Sequence, residues 1–436
     1  MTAATDIFRP RNEPLSARLE NNWPRSGMRH DGSLGGRCVG HFVAQQGRWS
    51  FRDPTTDRIE CGTDDPLAVL HGRFAELSRI GTAGIMYGYI AYEAGYEWLS
   101  LPRPQPAIGD WLHVPDIQFL IFSGSEPLHA GRPGRTSMIH PAAQRLVNPL
   151  TDRVTYCRHV AEILELIAAG DIYQANYTQG FDLQTGSTPS ENFASIRRHA
   201  PAPFNALLEF PGMAIIAASP ERFWKKTGCL IETRPIKGTT ARRYDSRLDR
   251  QARRALLASA KDRAELLMIT DLERNDLGRI AAIGSVRTEM LARVRGTPSV
   301  WHLESTVTAQ LPPETTWVDV MKATFPGGSI TGAPKRRAVE ILGERELIAR
   351  GVYCGAYGWV DARGDADFAL AIRTAVQVGD RIRLYGGGGI VADSDIDAEH
   401  QESLIKIAPL VAALAPRRIT QSSDIEVAGH GGTRTR

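Results

Sequence analysis

Between Met213 and Ile236 the chain reads as strand-length runs joined by short turns, and such a succession calls for antiparallel pairing. Met213-Ala-Ile-Ile-Ala-Ala leads into Ser219-Pro-Glu-Arg-Phe-Trp, Lys226-Thr-Gly228 is a turn signal, and Cys229 to Ile236 is the return strand. The pattern recurs downstream. Val352 to Val360 reads as a strand, Arg363-Gly364-Asp365 as a turn and Ala366 to Val378 as a second strand; Gly379-Asp380 then turns the chain into Arg381 to Tyr385. Connections this short join antiparallel neighbours, because parallel strands need a crossover of about a dozen residues or more. Helical spacing fills the intervals. Val154, Val160, Ile163, Leu164 and Ile167 recur at helix spacing with Gly170 as a stop. A long helix is expected from about Ser259 to Asn275, and a last one from near Asp395. The expected class is α+β, with antiparallel β-sheets packed together and covered by helices.

The chain has 436 residues, 42% hydrophobic and 23% charged, which is enough apolar material for a sizeable core. We expect disorder in residues 1–15 and 417–436, an N-terminal α+β region over 16–148, and a catalytic region over 149–416, with a soft boundary near Asn148-Pro149. Net charge is +3, from 52 Lys and Arg against 49 Asp and Glu, without a long basic run, so nucleic-acid binding gains no support. No stretch has the apolar length of a membrane helix, and Met1 to Pro10 lacks a signal-peptide core. Cys38, Cys61, Cys157, Cys229 and Cys354 are scattered, which suits reduced thiols in a cytoplasmic protein.

Four oddities carry chemistry. Glu265 lies in line with Met268, Ile269 and Leu272, on the apolar face of the expected helix. A carboxylate there needs a cation, so a buried salt bridge and a functional role stand about even. Glu399, Glu402 and Lys406 share one face of the last helix. Read alone, that face is solvated, with a Glu402–Lys406 ion pair. Glu265 and Glu402, with Glu399 as a third candidate, also have the hard oxygen donors that Mg2+ prefers. In the expected strand Ala366 to Val378, Arg373 shares a face with Ala369, Ala371 and Ala375, leaving room for an anion at its guanidinium; an exposed sheet face is the plainer reading. The runs Phe325-Pro-Gly-Gly-Ser-Ile-Thr-Gly-Ala-Pro-Lys335 and Gly386 to Gly389 allow close backbone approach to a ligand, and neither matches a Walker loop.

Several segments, in order, resemble the chorismate-binding enzyme family, from about Arg153 to Leu414 with a weaker echo upstream. They are Gly170-Asp-Ile-Tyr-Gln-Ala-Asn, Ser219-Pro-Glu-Arg-Phe, Thr233-Arg-Pro-Ile-Lys-Gly-Thr, Ser259-Ala-Lys-Asp-Arg-Ala-Glu-Leu-Leu-Met, Asp271-Leu-Glu-Arg-Asn-Asp-Leu-Gly-Arg, His302-Leu-Glu-Ser-Thr-Val, the Phe325 to Lys335 loop and Gly387-Gly-Gly-Ile-Val-Ala-Asp-Ser. The resemblance implies that Glu265 and Glu402 hold Mg2+ against the ring carboxylate of chorismate. It implies that Arg373, Tyr357 and Lys406 bind substrate carboxylates, and that Gly328, Ser329, Gly387 and Gly388 offer backbone amides. His302 would stand near the ring, and Glu221 would be the general acid for the departing 4-hydroxyl.

Two positions divide the family. Isochorismate and salicylate synthases carry a Lys base where Gln174 stands, and Gln cannot activate water. Anthranilate synthases carry Ala where Lys237 stands, whereas a Lys there is typical of aminodeoxychorismate synthases. The resemblance therefore implies amination of chorismate at C4 with Lys237 as covalent nucleophile, which requires a neutral amine. It further implies that ammonia comes from a separate glutamine amidotransferase subunit, since no glutaminase motif is visible, and that the product feeds 4-aminobenzoate and folate synthesis. The alternatives are anthranilate synthesis and a catalytically inactive chorismate-binding subunit; the intact set Glu221, Lys237, Glu265 and Glu402 speaks against the latter.

Overall fold

Every strand pairing among the described residues is antiparallel, and the strands form two sheets. The computed structural model describes residues 16–19, 37–105, 110–124, 148–296 and 300–414, with backbone alone for 16–19. The expectations for 1–15 and 417–436 lie outside the described residues. Helices interleave with the strands, so the α+β class holds.

The smaller sheet runs Ser16–Leu19, Phe204–Phe210, Met213–Ser219, Thr374–Val378, Arg381–Ile390, Gln174–Gln184 and Gly332–Ala333 across, with Asn148–Pro149 also on Gln174–Gln184. The larger sheet runs from Ile236–Ala241 through Val300–Gln310, Leu230–Arg234, Arg222–Thr227, Ala366–Leu370, Ala356–Asp361 and Ile85–Ile90 to the N-terminal strands. Strand periodicity shows how the layers stack. Along Ile85–Ile90, Met86 and Ile90 join the core beneath the helices Pro66–Arg79 and Trp317–Thr324, while Ile85, Tyr87 and Tyr89 point into the core between the sheets. The inter-sheet core includes Leu208 and Ile215 from the smaller sheet. The outer face of that sheet, with Leu207 and Ile216, is covered by Pro189–His199 and the last helix, Ile396–Leu414. Both faces of the central strands are thus buried, which explains why several of them read as continuous apolar runs.

Residue 148 does not divide the sheets. Ile85–Ile90 pairs with Ala356–Asp361, and Ser16–Leu19 pairs with Phe204–Phe210.

Three expectations need correction. Ala366 to Val378 is two strands: Ala366–Leu370 in the larger sheet and Thr374–Val378 in the smaller. Ala371 to Arg373 carry the chain between sheets, and Arg373 has φ +50°, outside any strand conformation. The side-chain alternation expected across that run therefore stops at Leu370. Next, Gly386 to Gly389 are no loop. They lie within Arg381–Ile390, opposite Gln179, Thr178, Tyr177 and Asn176. A Cβ at Gly386 would lie 2.3 Å from Ser403 O on the last helix, so the glycines let that helix sit directly on the strand. Finally, the strand expected from Val352 begins at Ala356.

Candidate active site

The chain passes between sheets at two neighbouring points. One is Ala371 to Arg373; the other is Pro220-Glu221, between Met213–Ser219 and Arg222–Thr227. Backbone bonds tie them together: Leu370 N–H donates to Glu221 O at 3.2 Å, and Ala218 N–H to Arg373 O at 3.0 Å. Arg222 anchors the second crossing from within, pairing with Asp367 at 3.0 Å and Glu232 at 2.7 Å. Backbone leaving a sheet turns its side chains out of the pleat, and here two charged residues emerge side by side. Burial lowers the Arg373 pKa, and the Glu221 carboxylate works against that lowering.

Glu221 is buried, and Oε1 accepts the Ser329 hydroxyl at 2.7 Å from the short turn Gly328–Ile330. Burial pushes its carboxyl up to about 7, against Ser329 and Lys237, which favour the charged form. It thus retains a proton to give near neutrality. Lys237 stands on Ile236–Ala241, where the pairing with Val300–Gln310 shifts register between Lys237 and Thr239. Burial lowers its pKa first and the Lys406 charge second, while Glu265, Glu221 and Glu402 oppose them. A Cβ at Gly389 would lie 3.4 Å from Lys237 Nζ and 2.9 Å from Gln174 Nε2. Gln174 is fully buried, and both its amide atoms lack partners. His302 is buried nearby on Val300–Gln310, with Nδ1 2.8 Å from Thr239 Oγ1 and Nε2 unpartnered. Burial and then Arg373 and Arg295 lower its pKa to about 4, so it is neutral.

The acids gather from two helices. Glu265 is half-buried on Ala260–Gly278, which Ser259 caps through Asp262 N at 3.2 Å. Burial raises its pKa, and Glu402 contributes to the rise. Glu399 is buried on the last helix; Oε1 accepts Ser394 Oγ at 2.6 Å, and Oε2 has no partner. Gly388 makes room for it, because a Cβ there would lie 2.5 Å from that Oε2 and 3.8 Å from Glu402 Oε1. Burial raises Glu402 too, but Lys406, at 2.7 Å, outweighs this and leaves it low. Lys406 also donates to Gly387 O at 2.8 Å. Among the described residues no group of three or more His, Cys, Asp or Glu forms a ready metal cage. The donors suit a hard cation that takes one or two carboxylates plus water and ligand oxygens, and the orphaned Glu399 oxygen is what such an ion would satisfy.

Most of the expected residues therefore converge. Tyr357 stands apart: its ring is fully buried in the inter-sheet core, and its hydroxyl donates to Phe204 O at 2.5 Å. That engagement leaves no free phenol for a carboxylate.

The sequence matches the description "chorismate binding enzyme" over residues 36–412. The chain belongs to the chorismate-binding enzyme family. It is 38% identical to aminodeoxychorismate synthase component 1 of Salmonella typhimurium, across 79% of this chain and 81% of that one. It is 33% identical to anthranilate synthase component 1 of Saccharolobus solfataricus, across 81% and 87% respectively. The solved anthranilate synthase component I of Streptococcus pneumoniae TIGR4 superposes with a TM-score of 0.73 at 24% identity, covering 94% of each chain, a likeness of fold. The family match begins well upstream of Arg153, as the shared larger sheet requires.

Sequence reasoning about this chorismate-binding enzyme missed Lys261, whose charge acts on Glu265, Glu399 and Glu402. It sits one turn before Glu265, so helix spacing held the signal. It also missed Glu304, paired with Arg295 at 2.7 Å and acting on Glu221; an alternating strand offers no cue for that.

Proposed function

We propose that the chain converts chorismate and ammonia to 4-amino-4-deoxychorismate, with Lys237 as covalent nucleophile. The observation that carries this reading is Lys237 itself: an amine kept short of its usual basicity, within reach of Gly389 and facing Glu221, Glu265 and Glu402. The neutral amine attacks C2 of the ring, the double bonds shift, and the 4-hydroxyl leaves as water with the proton from Glu221. Ammonia then adds at C4, the double bonds shift back and the Lys237 amine departs. Glu221 recovers its proton from the new C4 ammonium, so the balance is chorismate plus ammonia to product plus water.

Mg2+ held by Glu265 and Glu402, with Glu399 beside them, would neutralise the ring carboxylate. Arg373 and Lys406 bind carboxylates, His302 stands by the ring as a neutral imidazole, and the backbones of Gly328, Ser329, Gly387 and Gly388 shape the cleft. Gln174 offers amide hydrogen bonds where hydration at C2 would need a base. Ammonia comes from a separate glutamine amidotransferase subunit, and the product supplies 4-aminobenzoate for folate in the cytoplasm.

The test is to incubate the pure chain with chorismate, Mg2+ and ammonium, then identify the product by mass. The 4-amino product, with its enolpyruvyl group retained, is expected. Anthranilate would establish the second reading, which the Saccharolobus relative favours.

A further inference from the structure

A separate cavity of about 400 Å3 lies away from Glu221 and Lys237, between the Tyr92–Tyr96 segment, residues 103–105 and 112–115, and the stretch from Gly343 to Gly351. Its volume falls within the range of roughly 300–1,000 Å3 that holds small ligands. Aromatic rings give it rigid walls. Tyr92 and Tyr96 meet edge to face with centroids 6.0 Å apart, and Tyr385 stacks on Tyr353 at 5.1 Å. The Tyr92 hydroxyl is buried without a partner.

The charges in the wall decide what fits. Arg103 forks onto Asp116 at 2.8 and 2.6 Å, which spends its charge. Arg350 grips both oxygens of Glu346 at 2.8 and 2.6 Å. Glu93 is left over. It is buried, and Oε1 accepts Arg350 N–H at 2.8 Å and Gly351 N–H at 3.2 Å, but no cation forms an ion pair with it among the described residues. Burial lifts its carboxyl to about 7, against the more distant Arg103. An anion would meet two guanidiniums already saturated and one carboxylate that repels it. A cation would give Glu93 the partner a buried carboxylate lacks.

We infer that this cavity is a second small-molecule site, and that it takes a protonated primary amine on an aromatic body. The ammonium faces Glu93, and the ring lies among Tyr92, Tyr96 and Tyr385. This inference is independent of the chemistry assigned to Lys237.

Tyramine is the probe, because its phenol also offers a partner to the Tyr92 hydroxyl. Calorimetry on the full chain at about pH 8, where Glu93 carries its charge, should show one-to-one binding. Tyrosol, with a hydroxyl in place of the ammonium, should bind at least about tenfold more weakly, and so should tyramine to Glu93→Gln. Should Glu93→Gln fail to fold, Ala349→Trp serves instead. Ala349 is exposed at the cavity, so the larger side chain covers the opening without entering the core, and it should likewise weaken tyramine. Equal affinity for tyramine and tyrosol overturns the inference. So does binding that survives in both variants, or no binding at about 10 mM.

Discussion

Glu265 and Glu273 share the helix Ala260–Gly278, roughly two turns apart, and meet opposite surroundings. Glu273 is buried, accepts the Thr233 hydroxyl at 3.1 Å and lies beside Asp276, whose charge Lys335 matches at 2.5 Å. Burial first and Asp276 second push Glu273 up to about 8, so it is protonated at neutral pH. Glu265 is half-buried, takes part in no ion pair among the described residues, and faces further acids on the last helix. One end of the helix has completed its chemistry with groups of its own. The other holds Glu265, which takes part in no such pair among the described residues. Along this helix depth of burial does not pick out the proposed site; incompleteness does.

The sharpest way to break that contrast is at Lys237, the amine the acids face. Lys237→Ala should cut formation of the 4-amino product by orders of magnitude, because covalent catalysis divides one hard displacement into two easier ones. Direct attack by ammonia at C2 should then leave traces of a 2-amino product, which product analysis by mass would reveal. A variant that makes the 4-amino compound at a comparable rate would sink the nucleophile role.

The acids come next. Glu265→Gln or Glu402→Gln should remove the Mg2+ requirement together with activity, with losses of about a hundredfold or more. Folding should be preserved, since neither carboxylate holds up a core. The check is turnover and thermal melting over a Mg2+ titration; near wild-type turnover in either variant counts against the cation site.

Glu265 was legible in the sequence, but not for the reason that drew notice. The face it shares with Met268 and Leu272 is only half-buried; the buried face carries Leu266, Ile269, Thr270, Glu273 and Leu277. Glu273 and Asp276 read as ordinary charged positions, because nothing local discloses that Lys335 arrives from the start of a distant helix, Lys335–Arg345. Arg373 was picked out by strand alternation, yet it stands at a crossing between sheets. The apolar pattern continues through Ala371 and Ile372, so no turn signal marks the break. The hairpins and helices were readable because their signals are local. The crossings depend on the two sheets meeting, a tertiary fact.

Lys335 tests the completed end of the helix. Lys335→Met leaves Asp276 buried without its cation, which should cost about 3–5 kcal/mol of stability. Turnover per folded molecule should stay near wild type. Pairing it with Asp276→Leu should recover much of the stability, since an apolar pair of similar volume often replaces a buried ion pair at little cost. Denaturant melts separate the outcomes: if Lys335→Met is as stable as wild type but slow, that end of the helix belongs to the site as well.

Ser329 gives the smallest effect and the finest test. Its hydroxyl donates to Glu221 Oε1 at 2.7 Å, a bond that favours the charged carboxylate against the burial that raises its pKa to about 7. Ser329→Ala removes that donor and leaves the backbone of the turn in place. The carboxyl should then hold its proton to higher pH. If Glu221 is the acid proposed above, the reaction slows as it deprotonates, and this alkaline limb should move upward in the variant. A hydrogen bond to a charged group contributes about 1.5–3 kcal/mol, and water recovers part of it, so a displacement of about one pH unit is expected. Rates must be compared at constant free ammonia, because that concentration also rises with pH. An unchanged limb would mean that another group sets it. A downward move would mean that Glu221 works as its anion, and the general acid would have to be sought among the neighbouring groups.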